Sequence, residues 1–358
     1  MYDVAIIGLG PAGATLARLL DRGLRVITID QKHPTDAQGF YKPCGGLLST
    51  DAQKALSRFN LTLPLELLVD PQIFSVRTID LATGATRHYQ RFYINLDRHR
   101  FDQWLLSLIP PWVEQHPQAR CTQVQPAEGG YRVSWREGGR DYTVRARQLV
   151  GADGANSLVR RLLYPGENIR RYLSIQQWFP DTHATPFYSC VFDPETTDCY
   201  AWGLSKDHSF LFGGAFPVAT GRGDFARLKE KLRPYGFQLD HPTRTEACIV
   251  LRPRGWRDFC GGRDGAFLVG EAAGLISPSS LEGISFAIGS GYALSQVLNR
   301  QGPDANRRYR RSLGTMRGRL LLKNLKSPFM YAPPLRRLVM GSGLSAIQVL
   351  DRPGPEEE

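Results

Sequence analysis

Cysteine is sparse in this 358-residue chain, and what there is of it forms no pattern. The six cysteines (Cys44, Cys121, Cys190, Cys199, Cys248 and Cys260) make no CxxC pair and no Cys/His ligand spacing. That excludes a recognisable zinc site and a disulfide framework, and it favours a reducing, cytoplasmic setting. The seven histidines, among them His33, His88, His99 and His116, do not cluster with carboxylates at a metal spacing. GxSxG, HExxH and P-loop signatures are missing. Long apolar runs are missing as well: no stretch approaches the ~18 residues that a bilayer-spanning helix needs. MYDVAIIGLG lacks a basic n-region before its short apolar run, so it does not read as a signal peptide. There is no internal repeat and no named nucleic-acid module, so no nucleic-acid partner is expected.

What remains is globular composition: 42% hydrophobic and 22% charged residues argue against disorder. The length suits two packed domains, or one large domain with an insertion. The charge is +11 and uneven. Arg307, Arg308, Arg310, Arg311, Arg317, Arg319, Lys323, Lys326, Arg336 and Arg337 crowd the C-terminal part. Leu313, Met316, Leu320, Leu321, Leu325, Phe329 and Met330 are interleaved with them. Such a segment is either a solvated helix face or a surface for anionic lipid head groups. The acidic end, Glu356 to Glu358, is expected to fray.

Tyr2 to Gly8 is a nearly continuous apolar run, the mark of a strand covered on both faces. GLGPAG follows, then a helical pattern from Ala12 to Arg22 that Gly23 should end, then an apolar strand from Arg25 to Ile29. This is a βαβ unit. Gly8 allows the tight turn, Gly10 lets backbone approach a pyrophosphate, and Gly13 lets the helix pack close. Pro11 and Ala12 open that helix, whose N-terminus faces negative phosphates. Asp30, 22 residues after Gly8, stands where an acid should bind a ribose, with Gln31 and Lys32 beside it. The dinucleotide is NAD(P) or FAD on this pattern alone.

Hairpins are expected at 77–89 and at 131–147, a short helix at 101–108 and a buried strand at 148–152. From Tyr172 to Leu251 the pattern is strand-rich and aromatic, with a helix at 225–232. In that stretch Trp178, Phe187, Tyr188, Phe192, Tyr200, Trp202, Phe210, Phe212 and Phe216 alternate along strands. They are either core or the wall of an apolar tunnel. The Gly213-Gly214 pair reads as a sheet irregularity. A buried strand at 266–269 and a helix from about Glu282 to Leu298 follow.

Two later stretches decide the dinucleotide. GADGANSLVRR (Gly151 to Arg161) and FLVGEAAGLISPSSLEGISFAI (Phe267 to Ile288) resemble fingerprints of the flavoprotein hydroxylases and their relatives. The resemblance implies a glutathione-reductase-like FAD fold. It places Ala152, Asp153 and Gly154 beside the pyrophosphate. It also places Gly270, Glu271 and Gly274 at the ribityl chain, with Glu271 where the family carries Asp. Gly283 and Ile284 would bring bare amides to the flavin edge, where a helix N-terminus stabilises negative charge. In NLDRHRFDQWLL, Arg98, Phe101, Asp102 and Leu105 match a pattern whose arginine reaches the cofactor; a surface pair of Arg98 with Asp102 is the alternative.

FYKPCGGLLS (Phe40 to Ser49) is similar to the loop of the geranylgeranyl reductase group, which saturates isoprenoid double bonds with reduced FAD. The resemblance puts Cys44, Gly45 and Gly46 against the flavin. Cys44 then either donates a proton or gates the ring, or it is a small packing residue. The group's YxWxFPK signature reads YAWGLSK here: Tyr200, Trp202 and Lys206 match, while Leu204-Ser205 replace Phe-Pro. Cys44, Tyr200 and Trp202 are the candidate catalytic residues.

The resulting expectation is an α/β fold: a Rossmann-like FAD domain from discontinuous segments (1–165 and 256–300), a β-rich substrate domain (166–255) and a basic helical C-terminal region (301–358). The expected activity is FAD-dependent reduction of carbon–carbon double bonds in an isoprenoid or other apolar substrate. No second GxGxxG is present, so NAD(P)H or another reductant must bind transiently. A monooxygenase on the same fold, a non-redox flavin-dependent cyclase or isomerase, and a mere flavin carrier are the rivals. The expected location is the cytoplasm, including the inner face of the membrane if the basic region makes peripheral contact.

Overall fold

The computed structural model describes residues 1–32, 42–166, 168–180 and 187–349. His33, Phe40, Tyr41 and the acidic end Glu356 to Glu358 lie outside the described residues. The first unit is β1 (Tyr2–Ile7), α1 (Pro11–Leu19) and β2 (Val26–Ile29), with β1 and β2 parallel. Pro11 at the first helical position presets φ, and Gly10 in extended geometry is the cap. The helix is shorter than expected. Leu20 turns extended and ends it, so Gly23 falls in the following turn and not at a cap.

Next come β3 (Leu47–Leu48), α2 (Thr50–Ser57), the hairpin of β4 (Ile73–Asp80) and β5 (Ala85–Asn95), and α3 (Arg98–Ser107). Asp97 caps α3 by accepting the N–H groups of His99 and Arg100. Then follow β6 (Glu114–His116), β7 (Arg120–Ala127), β8 (Gly130–Glu137), β9 (Arg140–Gly151) and α4 (Leu158–Leu163). The strand expected at 148–152 is the second half of β9, which runs unbroken out of the hairpin into the sheet centre. The next segment holds β10 (Arg171–Pro180), β11 (Phe187–Phe192), β12 (Ala201–Lys206), β13 (Ser209–Pro217), α5 (Gly221–Leu232) and β14 (Arg244–Leu251). The chain continues with β15 (Gly262–Arg263), β16 (Ala266–Leu268), α6 (Ile284–Asn299), α7 (Ala305–Ser312), α8 (Gly314–Tyr331), α9 (Pro333–Gly341) and β17 (Ala346–Ile347).

Two sheets organise these elements into an α/β fold. One has eight strands, with a parallel centre in the order β16-β9-β1-β2-β6 and the β7-β8-β9 meander attached. The other has nine, in the order β14-β10-β13-β12-β11-β4-β5-β17, with β3 added to β5. β11 pairs with β4 in parallel, so residues 73–95 belong to the second sheet although they precede residue 165. The expected domain boundary at 165 therefore does not follow the sheets. The helices α1 and α6 pack together, and Gly291 permits it: a Cβ there would lie 2.5 Å from the Ala12 carbonyl oxygen.

The second sheet buries both faces. Phe210, Phe212 and Phe216 pack under α5 with Phe225 and Leu228, while Phe192, Tyr200 and Trp202 face the first domain. The Gly213-Gly214 pair is not an irregularity. Both residues sit in unbroken register with β10 and β12. The glycines make room: a Cβ on Gly213 would lie 3.0 Å from the Trp202 ring, and one on Gly214 2.6 Å from the Phe216 ring. No helix among the described residues is long and apolar enough to cross a membrane.

Candidate functional site

The end of β1 makes the first wall of the site. Gly8 has φ +95°, and a Cβ there would lie 2.6 Å from the Ala152 carbonyl oxygen. At Gly13 a Cβ would lie 2.0 Å from the Gly8 carbonyl oxygen. Both positions are closed to any side chain. Gly10 is the opposite case, since a Cβ there would meet nothing within 4 Å and would project into open space. The turn is therefore tight behind and empty in front, as a bound anion at a helix N-terminus requires.

Asp30, at the end of β2, is 7% exposed. It accepts the Leu9 N–H and, at 2.6 Å, the Lys32 N–H. The second wall comes from β9. Asp153 accepts the Leu158 N–H at 2.7 Å through Oδ2, while Oδ1 is buried with no partner. Burial pushes its carboxyl above the usual carboxylate range.

Arg98 opens α3 and donates to Asp102 Oδ1 at 3.0 Å, with Lys32 3.4 Å from the other oxygen. Burial opposes the charge of the guanidinium, yet Asp102 and a hydrogen bond with Cys44 hold its pKa above the usual value. Arg98 therefore pairs with Asp102 in a buried contact and not on the surface, and it lines the cavity. Cys44 lies on the loop between Lys42 and β3. Its Sγ accepts the Gly46 N–H at 3.4 Å. Gly46 has φ +63° and passes over Lys206; a Cβ there would lie 2.8 Å from Nζ. Lys206 is anchored by Asn95 Oδ1 and the Leu96 carbonyl, each at 2.7 Å.

Glu271 departs from the simple expectation. It accepts the Leu251 N–H at 2.9 Å through Oε1, and Oε2 pairs with Lys42. The longer side chain, which stands where the family carries Asp, reaches the PCGG loop. Burial pushes the Lys42 ammonium below its usual value.

These groups line one cavity of about 1290 Å³. Gly8, Gly10, Pro11, Ala12, Asp30, Gln31, Lys32, Arg98, Ala152, Asp153 and Gly154 line its first part. Cys44, Gly45, Gly46, Gly270, Glu271, Gly283 and Ile284 line the middle. Tyr200 and Trp202 belong to the far floor, their rings 5.7 Å apart. Gly13 and Gly274 are outside the lining. Gly13 backs the first turn, and a Cβ on Gly274 would lie 2.2 Å from the Asp258 carbonyl oxygen.

The sequence reading missed several floor residues. Tyr89, Arg91 and Tyr93 line the cavity from alternate positions of β5, and Val76 and Thr78 do so from β4. Period-two reading of 89–93 would have placed them on one face. Tyr188 and Tyr200 are hydrogen-bonded to each other, and burial pushes both phenols well above the usual value. The Tyr200 hydroxyl also donates to the Ser280 carbonyl at 2.6 Å. Glu282, just before α6, accepts the Ser285 N–H and hydroxyl, each at 2.8 Å; burial raises its pKa. Among the described residues all six cysteines are free, and no cluster of His, Cys, Asp and Glu could hold a metal.

Comparison with known proteins places this geometry. A family model described as lycopene cyclase protein matches residues 3–187. Protein CbrA of Escherichia coli strain HS is 50% identical over 353 residues, 98% of this chain and 96% of the relative. A geranylgeranyl bacteriochlorophyll reductase-like protein from Thermoplasma acidophilum superimposes with a TM-score of 0.81 at 19% identity, covering 98% of this chain and 92% of that one. PqsL of Pseudomonas aeruginosa, described as a probable FAD-dependent monooxygenase, has a TM-score of 0.71 at 18% identity, covering 96% and 99%. The fold is thus the one these flavoenzymes share.

Proposed function

The chain belongs to the family of Protein CbrA and to the family described as lycopene cyclase protein. From that premise we propose that it is an FAD-dependent oxidoreductase that saturates carbon–carbon double bonds of an apolar, isoprenoid-type substrate. The observation that carries this reading is the single cavity of about 1290 Å³, whose lining changes from glycine backbone at one end to aromatic side chains at the other. Pockets for one small ligand span roughly 300–1,000 Å³. A space of this size would take a dinucleotide and, beside it, a second, apolar molecule.

One feature of the chain fits FAD: the open face of Gly10 before the α1 N-terminus. The α1 N-terminus would hold the pyrophosphate, and Asp30 the adenosine ribose. Lys42 and Glu271, which pair with each other, would stand beside the ribityl chain. The first amides of α6, at Gly283 and Ile284, would stabilise negative charge at the ring edge. Reduced FAD bound there would supply a hydride to one carbon of the double bond.

The other carbon needs a proton. Cys44 would donate it from Sγ, which the neighbouring Arg98 guanidinium hydrogen-bonds. Water at the cofactor end returns the proton. Tyr200 is the weaker donor, because its hydroxyl is committed to the Ser280 carbonyl and burial raises its pKa. It acts with Trp202 as a floor that keeps water from the alkene. The electron pair comes from NAD(P)H or another two-electron reductant that docks transiently.

The test is anaerobic turnover of the purified, chemically reduced holoprotein with polyprenyl lipids, read by mass spectrometry. A product that has gained two hydrogen atoms, with matching flavin oxidation, supports the proposal. Oxygenated product formed only in air would replace it with a monooxygenase. Isomerised product with no reductant consumed would replace it with a cyclase.

A further inference from the structure

The cavity reaches the surface in two places. At the cofactor end the exposed lining residues are polar: Gln31, Arg120, Thr122 and Arg136. At the other end Phe329, Val339 and Leu344 line the cavity and are also 51%, 40% and 77% exposed, and exposed Asp51, Arg91 and Ser345 line it as well. This second mouth opens between α8, α9 and the turn after α9.

Exposed apolar side chains continue from that mouth along α8 and α9. Leu322 and Leu325 are 60% and 72% exposed on α8, one helical face with Phe329, and Leu338 is 70% exposed on α9. A soluble surface scatters such residues, and a contiguous set marks a binding face. Residues 305–349 contain ten cations and no acid. Several of those cations are used inside the protein. Arg336 pairs with buried Asp80 at 2.7 Å, Lys323 approaches Asp51 at 3.5 Å, and Arg308 bonds carbonyls at the end of α6. Arg319, Lys326 and Arg337 are exposed on α8 and α9 and make no ion pair among the described residues.

We propose that the α8–α9 face docks on an anionic lipid bilayer, with Leu322, Leu325 and Leu338 entering the interface, Arg319, Lys326 and Arg337 against the head groups, and the cavity mouth opening into the acyl layer. Charge decides the occupant. A second copy docking the same face would set these cations against their own equivalents, whereas anionic head groups complement them. The arrangement rests on the reading of an apolar substrate, and it gives that substrate a route from lipid to floor that never crosses water.

The test is cosedimentation of the holoprotein with vesicles of phosphatidylcholine alone and of phosphatidylcholine with phosphatidylglycerol. Wild type should bind the anionic vesicles and largely ignore the neutral ones. Arg319→Gln, Lys326→Gln and Arg337→Gln together should weaken binding by about a hundredfold. Leu322→Ser, Leu325→Ser and Leu338→Ser together should abolish it, while flavin content and turnover of a detergent-solubilised substrate stay at wild-type levels. None of these six side chains lines the cavity.

Wild type that stays in the supernatant overturns the docking, and so does a leucine variant that binds like wild type. A concentration-dependent dimer that the leucine changes dissolve would assign the face to a second copy. A protein that binds vesicles but reduces nothing refutes the proposed chemistry alone. One that reduces soluble substrate without binding vesicles refutes the docking alone.

Discussion

Replacing Lys206 with methionine should remove a slope from the alkaline side of the stability profile. Lys206 is 6% exposed, and its ammonium donates to Asn95 Oδ1 and to the Leu96 carbonyl. Burial pushes its pKa down to about 8 from 10.5. Between those two values the unfolded chain carries a proton that the folded chain has released, so stability rises with pH across that window. Below about pH 8 the folded protein holds the charge at a cost of roughly 3 kcal/mol, from a gap of about 2.5 pKa units. Relief of about 2 kcal/mol falls between roughly pH 7 and 9.5. Urea unfolding of wild type and K206M across this range measures it. Other titrating groups are common to both proteins and cancel in the difference. That difference should move by roughly 2 kcal/mol in favour of wild type as pH rises. Its sign at neutral pH is a separate matter, because methionine also leaves Asn95 and Leu96 without their donor. Parallel curves would refute the claim that the ammonium is held charged in a dry site beneath the PCGG loop.

Gly10→Ala should fold with a Tm near wild type and emerge colourless, because the added methyl meets no protein atom but fills the space for phosphate; the ratio of flavin to protein absorbance reads it. Gly13→Ala should lose both flavin and thermal stability, since its Cβ would lie 2.0 Å from a backbone oxygen. Arg336→Met should cost about 3–5 kcal/mol in denaturant unfolding by removing the ion-pair partner of buried Asp80, and adding Asp80→Asn should restore much of it. Cys44→Ala should keep its FAD but lose about a hundredfold in turnover; full activity in that variant would make Cys44 a packing residue.

What the sequence made legible was local. GLGPAG carries its own strand, turn and helix within thirty residues, so β1, α1 and β2 could be read from apolar runs and glycines. The hairpin of β4 and β5 was legible for the same reason. Its membership of the second sheet was not, because Ser75 to Asp80 pair in parallel with Phe187 to Phe192, over a hundred residues away. Nothing in either strand names its partner. The same holds for Lys42 and Glu271, whose pairing is a meeting of two loops. Gly213 and Gly214 misled for the opposite reason. A glycine pair in a strand has two causes, a bulge or a large neighbour, and only the packed Trp202 and Phe216 rings show that the second applies. The aromatic stripe likewise had to be divided by the structure into a core face under α5 and a cavity face.

The departure at Leu204-Ser205 from the reductase pattern bears on the PCGG loop more than on the cavity wall. Leu204 is fully buried and does not line the cavity. A Cβ on Gly45 would lie 3.8 Å from Leu204 Cδ2 and 3.9 Å from Trp202 Cδ1, so these two side chains form the bed under the PCGG loop. A phenylalanine at 204 would need more room there and would raise the loop toward the site. A proline at 205 would remove a backbone donor from β12, whereas serine lets the strand stay in register with β13 through Lys206. The regular strand is what delivers the Lys206 ammonium beneath Gly46. On the proposed function, the two changes would set the height at which Cys44 meets the flavin. Under the proposed function, discrimination among substrates would fall instead to side chains that do line the cavity: Tyr93, Tyr188, Phe192 and the apolar residues of the α8–α9 mouth.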